Sequence, residues 1–448
     1  MQRSISIFYG KDMLPHLRRI QQDTLGFLMQ TVQARGDLVH FSLGSIHAYL
    51  VNHPDDIKHI LQDNAKNYTK NTIQYNALAT ITGRGLLTND GDSWLRNRRL
   101  AQPAFARPRL MQLDAVVVPA CQRMLDRWES TAAAGDEVDV DREMMRLTLE
   151  VVGKALFGID LSSEAGALTE AVITCLDHIV YQARYMVTPP AWVPTPRNLR
   201  FKRALRRLDE AVAGLVRQRS ESGQAGDDLL GMLLSAHDEI SGEGLTPAEI
   251  RDEVITLLIA GHETVASALT WTWHLLAHNA IEREELEQEV DTVLAGRAPS
   301  SADLAVLPHT AAVFSEGLRL YPPAWLITRR SIQGDRLPGG EILPNALVII
   351  SPYVVHRHAE YWPQAEAFQP GRFSGEAAAS QHRFAYIPFG GGPRLCIGNH
   401  FALIEGQLIL ACVAQRFRLE DAGHSAVVVD PLVTLRPKHG LPMRLVRR

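Results

Sequence analysis

Residues 247–279 carry apolar side chains on nearly every helical face, among them Val254, Ile255, Leu257, Leu258, Ile259, Val265, Leu269, Trp271, Trp273 and Leu275. A helix over that stretch is roughly 50 Å long at about 1.5 Å per residue, enough to cross a whole domain. Apolarity all round means burial all round. His262, Glu263 and Thr264 interrupt the most apolar segment, 254–276, where a bilayer would penalise charge heavily, so the segment reads as a buried core helix and not a membrane span. Polar residues at the centre of such a helix need a chemical reason.

The chain has the material for a large core: of its 448 residues 46% are hydrophobic and 21% charged, far from the signature of disorder. The expectation is a single domain over 1–448. With 46 Lys and Arg against 50 Asp and Glu, the net charge is -4, which excludes a general attraction to nucleic acid. Cys121, Cys175, Cys396 and Cys412 include no CxxC pair, which argues against a disulfide scaffold and a structural zinc site and for a reducing compartment. The first 22 residues lack the charged start, apolar stretch and cleavage site of a signal peptide, and no anchor is expected, so the expected location is cytoplasmic.

Helical periodicity marks 54–64, 98–128, 142–157, 200–219 and 302–321, whereas 38–51 reads as a hairpin, 337–350 as turns and extended runs, and 426–445 as a terminal β region. Residues 219–228, 296–302 and 374–380 read as loops. The fold class is therefore mainly α with a small β-rich part.

The strongest local signal is 389–405, FGGGPRLCIGNHFALIE, in which a glycine-rich loop delivers Cys396 to the start of an apolar helix. Unpaired N–H groups and the helix dipole favour a thiolate there, and glycines let a flat ligand approach the backbone. The run is not a dinucleotide fingerprint, because it lacks the last glycine and the strand-turn-helix setting. His262-Glu263 begins an HExxH zinc pattern that fails at Ala266. Thr264 stands four residues after Ala260, so its hydroxyl can bond that carbonyl and open the helix locally. Glu316 and Arg319 stand three apart on a helix, a spacing at which side chains meet.

Phe389, Gly392, Arg394, Cys396 and Gly398 together match FxxGxRxCxG, and the chain here resembles the cytochrome P-450 family through its haem-binding signature. Ala260-Gly261-His262-Glu263-Thr264 resembles that family's oxygen-activation motif, Glu316 to Arg319 its ExxR pair, 370–373 its PxRF segment, and Trp94 with Arg98 its WxxxR. The correspondence runs from about residue 51 to the C-terminus. The resemblance implies the cytochrome P-450 fold, with the long central helix across a buried haem, and Cys396 as the axial ligand of the haem iron. The absence of CxxCH implies haem b and not a covalently attached haem. It further implies that Glu263 and Thr264 are catalytic, that Phe389, Gly390, Gly398 and Ala260 line the cofactor, and that Glu316, Arg319 and Arg372 form a buried network holding the cysteine loop. Arg98, Arg394 and one of Arg329 or Arg330 are the candidate propionate partners, helped by the Trp94 indole.

The implied reaction inserts one oxygen atom from dioxygen into an apolar substrate, a fatty acid, terpenoid, steroid or polyketide, by hydroxylation or epoxidation. No flavin or iron-sulfur segment is found, so electrons are expected from a ferredoxin or flavodoxin with its reductase, and the expected state is a monomer. A peroxide-driven peroxygenase or isomerase is the alternative, and a non-enzymatic haem sensor a more distant one. By the same resemblance the substrate meets 71–87, parts of 171–193, 255–264, 324–328 and 433–435, with Arg184, Tyr181 or Tyr185 available to a polar group. Arg96, Arg98, Arg99, Arg107 and Arg109 form a basic run that contributes to a docking face for an acidic electron donor or is a solvated face. The run at 197–207 reads as an amphipathic helix surface, and His356 and His358 as surface or structural histidines near a turn.

Overall fold

The hairpin expected at 38–51 forms. In the computed structural model, which describes residues 5–159, 165–184, 188–222, 226, 228–238, 242–424 and 426–448, the two halves of this segment pair antiparallel around Gly44, whose φ of 61° suits glycine. They belong to the first of two compact units, Met1–Asn76, Leu318–Phe368 and Gly375–Cys396. Its sheet comprises β1 (Ser6–Tyr9), β2 (Leu38–Leu43), β3 (Ile46–Val51), β4 (Tyr68–Thr69), β5 (Ile327–Ser331) and β6 (Leu347–Ile350) in the order β1-β2-β3-β6-β5-β4. Leu38, Tyr49, Val51, Val348 and Ile350 pack from the sheet onto Ile57, Ile60, Leu61, Phe384 and Ile387. The expected turns and extended runs of 337–350 take shape as a small hairpin, Asp335–Leu337 with Gly340–Ile342, followed by β6.

The second unit, Ala77–Gly317, Gln369–Ser374 and Ile397–Arg448, is mainly helical. Its principal helices are α1 (Gly91–Ala101), α2 (Asp114–Ala134), α3 (Val140–Phe157), α4 (Ala165–Arg184), α5 (Pro196–Ser222), α6 (Pro247–His278), α7 (Ala280–Leu294), α8 (Pro308–Leu320) and α9 (Asn399–Arg416). The long helix α6 starts on a capping box, with the Thr246 hydroxyl accepting from the Glu249 N–H, the Glu249 carboxylate accepting in return, and Pro247 at the first position. It is long and apolar enough to cross a membrane, yet 83% of its most apolar stretch is buried inside the protein, as expected of a core helix. It packs along α3, and at Gly261 the two lie so close that a Cβ would stand 2.9 Å from the Val152 side chain.

The structure corrects four details. The periodicity of 98–128 is not one helix, because Pro103 and Pro108 break it into the end of α1, two short turns (Gln102–Phe105 and Arg107–Leu110) and α2. Residues 302–321 likewise divide into a 3₁₀ turn, Asp303–Val306, and α8. The loop expected at 374–380 contains a short helix, Gly375–Ala379, and α5 runs to Ser222, into the loop expected at 219–228. The terminal β region forms the hairpin Val429–Pro431 with Leu435–Pro437, and a strand, Pro442–Arg447, between Phe417–Asp421 and Glu137–Asp139.

Helix α9 presses on α8 at Gly406, where an added Cβ would overlap the buried ring of Phe314. The ring has no flexible end to withdraw, so Gly406→Ala is expected to cost about 1–3 kcal/mol of stability, read as a lower midpoint in urea unfolding with an unchanged slope.

Candidate functional site

The first unit carries the cysteine loop. Gly390 and Gly392 adopt φ of 72° and 65°, and the Cys396 N–H closes the loop by donating to the Phe389 carbonyl at 3.0 Å. A Cβ on Gly392 would overlap the Leu61 carbonyl, and one on Gly391 would come within 2.7 Å of the Phe384 ring. At Gly392 backbone therefore lies on backbone. Of the four cysteines, Cys121, Cys175 and Cys412 are buried and Cys396 is exposed. Gly398 caps α9, which places Cys396 just ahead of that helix's first N–H groups.

A chain of buried polar contacts supports this loop within the same unit. The Arg319 guanidinium, fully buried, donates to the carbonyls of His356 (2.9 Å), Ala365 (2.7 Å) and Ala367 (3.1 Å). His356 Nδ1 meets the Arg319 carbonyl at 3.0 Å, and its Nε2 accepts from the Ile387 N–H at 2.8 Å, two residues before the loop begins. The imidazole must be neutral to accept there, and burial pushes its pKa down from 6.5 to about 3. His356 is thus a buried structural histidine and not a surface one, while His358 pairs with Asp37. In the second unit, buried Glu316 accepts from the Gln369 N–H at 2.9 Å and lies 3.5 Å from the Arg372 guanidinium.

The two adjacent arginines separate by strand alternation. Arg329 is buried, donating to the Thr328 carbonyl and, at 3.4 Å, to the Tyr75 hydroxyl. Arg330 turns the other way and spends its guanidinium on the Asn71 and Asn345 carbonyls and the Asn345 amide oxygen. Arg394 is half-buried in the loop itself. An exposed thiol on a glycine-rich loop, with Arg329 and Arg394 in the same unit, suits a flat iron macrocycle bearing two carboxylates, with sulfur as the soft ligand and glycines admitting the ring.

The second unit carries the oxygen-activation candidates on α6. The Thr264 hydroxyl donates to the Ala260 carbonyl at 2.6 Å, as its spacing predicts. The local opening expected with that bond is not present, because α6 stays α-helical throughout. Ala260, Gly261 and Thr264 form a half-exposed strip of small residues, whereas His262 and Glu263 beside them are buried. Burial raises the Glu263 carboxyl to about 7, against the pull of Arg436 and Thr434. Arg436 comes from the hairpin at 429–437, which is pinned to α6 because Ser267 and the Trp271 indole both donate to the Leu435 carbonyl. It also donates to Asp141 at 2.6 Å. On α1, Trp94 is buried and Arg98 half-buried.

Other readings are narrowed. Arg96 pairs with Glu249 and Glu243, and Arg99 with buried Asp238, so these two members of the basic run are neutralised internally. Arg197 stacks on the Tyr181 ring at 4.0 Å, whereas Tyr185 and the Arg184 side chain lie outside the described residues. Sequence reasoning did not single out Arg436 or Asp141, and it named Thr434 only within the substrate stretch 433–435; none has motif spacing, and all three meet Glu263 only through the tertiary fold.

The family profile described as Cytochrome P450 matches residues 13–441, and the chain belongs to that family. It is 37% identical to cyclooctatin synthase of Streptomyces melanosporofaciens, across 98% of this chain and 94% of that protein. It is 32% identical to pentalenene oxygenase of Streptomyces avermitilis, across 94% and 92%. Among solved structures it resembles CYP175A1 from Thermus thermophillus, with a TM-score of 0.80 and 32% identity over 98% and 99% of the two chains. The cytochrome P450DA heme domain gives a TM-score of 0.87 at 26% identity over 97% and 95%. The protein is accordingly a haem-containing monooxygenase acting with dioxygen, an apolar substrate and an electron donor.

The loop and its support can each be tested. Gly392→Ala, with no space at Leu61 and a strained φ, is expected to leave secondary structure intact by circular dichroism while haem content falls severalfold. His356 binds a proton on unfolding near pH 6.5 but in the folded protein only near 3, so its contribution to stability is present above 6.5 and lost as pH falls toward 3. At pH 5 the loss is about 2 kcal/mol, and His356→Gln is expected to flatten this part of the urea-stability profile between pH 7 and 5.

Proposed function

We propose that this chain hydroxylates or epoxidises a terpenoid hydrocarbon, using haem b bound without covalent attachment and held through Cys396. The named relatives support the substrate class, since they include terpenoid monooxygenases, and apolar side chains predominate in the proposed substrate stretches. Phe389, Gly390, Gly398 and Ala260 line the cofactor. Arg98, Arg329 and Arg394 receive the propionates with the Trp94 indole, and Arg329 takes the role in preference to Arg330, whose guanidinium is satisfied by carbonyls. A thiolate-ligated haem supplies the activation of dioxygen, because electron donation from sulfur favours O–O cleavage.

The chain's own part is to deliver protons. The observation that carries this reading is the adjacency on one buried helix of Glu263, whose carboxyl titrates near neutrality, and Thr264, whose hydroxyl already donates to Ala260. Glu263 holds the proton, and the Thr264 hydroxyl, turned away from the Ala260 carbonyl, accepts it on one side and donates on the other. Arg436 and Asp141 set the charge around Glu263. Glu316, Arg319 and Arg372 hold the cysteine loop and do not enter the reaction. Electrons come from a ferredoxin or flavodoxin with its reductase, and the enzyme works as a cytoplasmic monomer.

Thr264→Ala is expected to keep its haem and divert most reducing equivalents from product to hydrogen peroxide, measured as product and peroxide formed per reductant consumed. Coupling equal to the parent's contradicts the assignment. Because Glu263 must be protonated to donate, the rate of product formation is expected to fall as pH rises above about 7. Glu263→Gln is expected to lower turnover about 100-fold and to remove that alkaline limb.

A further inference from the structure

Ten residues before Glu263, a second acid of α6 is sealed inside the same unit and has no part in the chemistry above. Glu253 is 0% exposed. One carboxylate oxygen accepts the Leu86 N–H at 3.0 Å and the other accepts the Asn97 side-chain amide at 2.9 Å. Its neighbour Asp252 accepts the Arg84 N–H at 2.7 Å. The turn Gly83-Arg84-Gly85 is moulded to the helix: a Cβ on Gly83 would overlap the Asp252 carboxylate, and one on Gly85 would overlap the Thr256 hydroxyl and lie 2.7 Å from the Asp252 carbonyl. Asn97 belongs to α1, between Trp94 and Arg98. A single carboxylate therefore fastens two separate pieces of chain to the long helix.

We propose that Glu253 is a positioning residue, a latch that holds the 83–86 turn and helix α1 on α6, and that its release frees that turn, the end of the proposed substrate stretch 71–87, to open. The significance for haem rests on reading Trp94 and Arg98 as propionate partners; the latch itself rests only on the bonds to Leu86 and Asn97. Backbone N–H groups that end on a buried carboxylate have no alternative partner until the turn separates from the helix, so opening exposes Glu253 to water.

The direction of pH dependence follows. Burial, aided by Asp252 and Glu249, lifts the Glu253 carboxyl from 4.5 to about 7 while the latch is closed. The charges around it are Glu249 paired with Arg96 of α1, Asp252 with Arg251, Arg251 with Asp209 of α5, and Arg99 of α1 with Asp238. An acid whose pKa is higher closed than open loses its proton on opening, so opening becomes easier as pH rises. The opening equilibrium is expected to increase close to tenfold per pH unit from about 4.5 to about 7 and then level off.

The test is amide hydrogen exchange of the haem-loaded protein, resolved to Leu86 and Arg84 and corrected for the intrinsic pH dependence of exchange. Protection at Leu86 is expected to fall about tenfold between pH 5.5 and 6.5 in the parent and to be flat in Glu253→Gln, which keeps an acceptor for Leu86 but cannot titrate. Glu253→Ala is expected to lose protection at Leu86 at every pH. A pH slope that persists in Glu253→Gln, or a parent profile that is flat, overturns the proposal. The parent profile stands alone if the variants do not fold. Loss of the haem spectrum with the Leu86 slope intact points instead to the reading of Trp94 and Arg98.

Discussion

The exposed thiol of Cys396 depends on backbone approaching backbone more closely than any side chain allows. Gly392 lies against the Leu61 carbonyl with a positive φ, Gly391 lies against Phe384, and the Cys396 N–H ties back to Phe389. A loop so closed cannot withdraw its cysteine into the core, where burial would hold the thiol protonated and inert, as it pushes the Cys175 thiol up to about 12. The support behind it is also backbone-directed: Arg319 satisfies three carbonyls and His356 joins the Arg319 carbonyl to the Ile387 N–H. A charged arginine and a neutral histidine are used here to fix main chain, which gives the cysteine loop a rigid platform without placing a catalytic group beside it.

The long helix spends burial differently. Surrounded by apolar contacts, it keeps Glu253 and Glu263 in surroundings that raise both carboxyls to about 7, so each exchanges its proton near neutrality. Their partners distinguish them. Glu253 faces two fixed donors, a backbone N–H and an amide, which suits holding a loop. Among the described residues one Glu263 carboxylate oxygen has no hydrogen-bond partner, with Arg436 nearby and Thr264 next in sequence, which suits moving a proton.

Elements with a strong period were legible in the sequence. The all-round apolarity of 247–279 marks α6 almost to the residue, and the hairpin reading of 38–51 marks β2 and β3. Prolines at 103 and 108 broke a periodic run that apolar spacing alone joined. At the site, Cys396, Thr264 and Glu263 announced themselves because a glycine loop or a polar interruption is visible locally. His356, Arg436 and Glu253 did not, because each acts through partners distant in sequence: Ile387 for His356, Asp141 for Arg436, Leu86 and Asn97 for Glu253. The different surroundings of Arg329 and Arg330 likewise depend on strand alternation, which leaves only the Arg330 guanidinium on the Asn71 and Asn345 carbonyls.

The most direct test of the account is the absorption spectrum of the reduced protein under carbon monoxide. Ligation through the Cys396 thiolate predicts a strongly red-shifted Soret band, absent from Cys396→Ala. A band at the position of ordinary histidine-ligated haem proteins in the parent, or a red-shifted band that survives in Cys396→Ala, would contradict the assignment of this cysteine as the iron ligand.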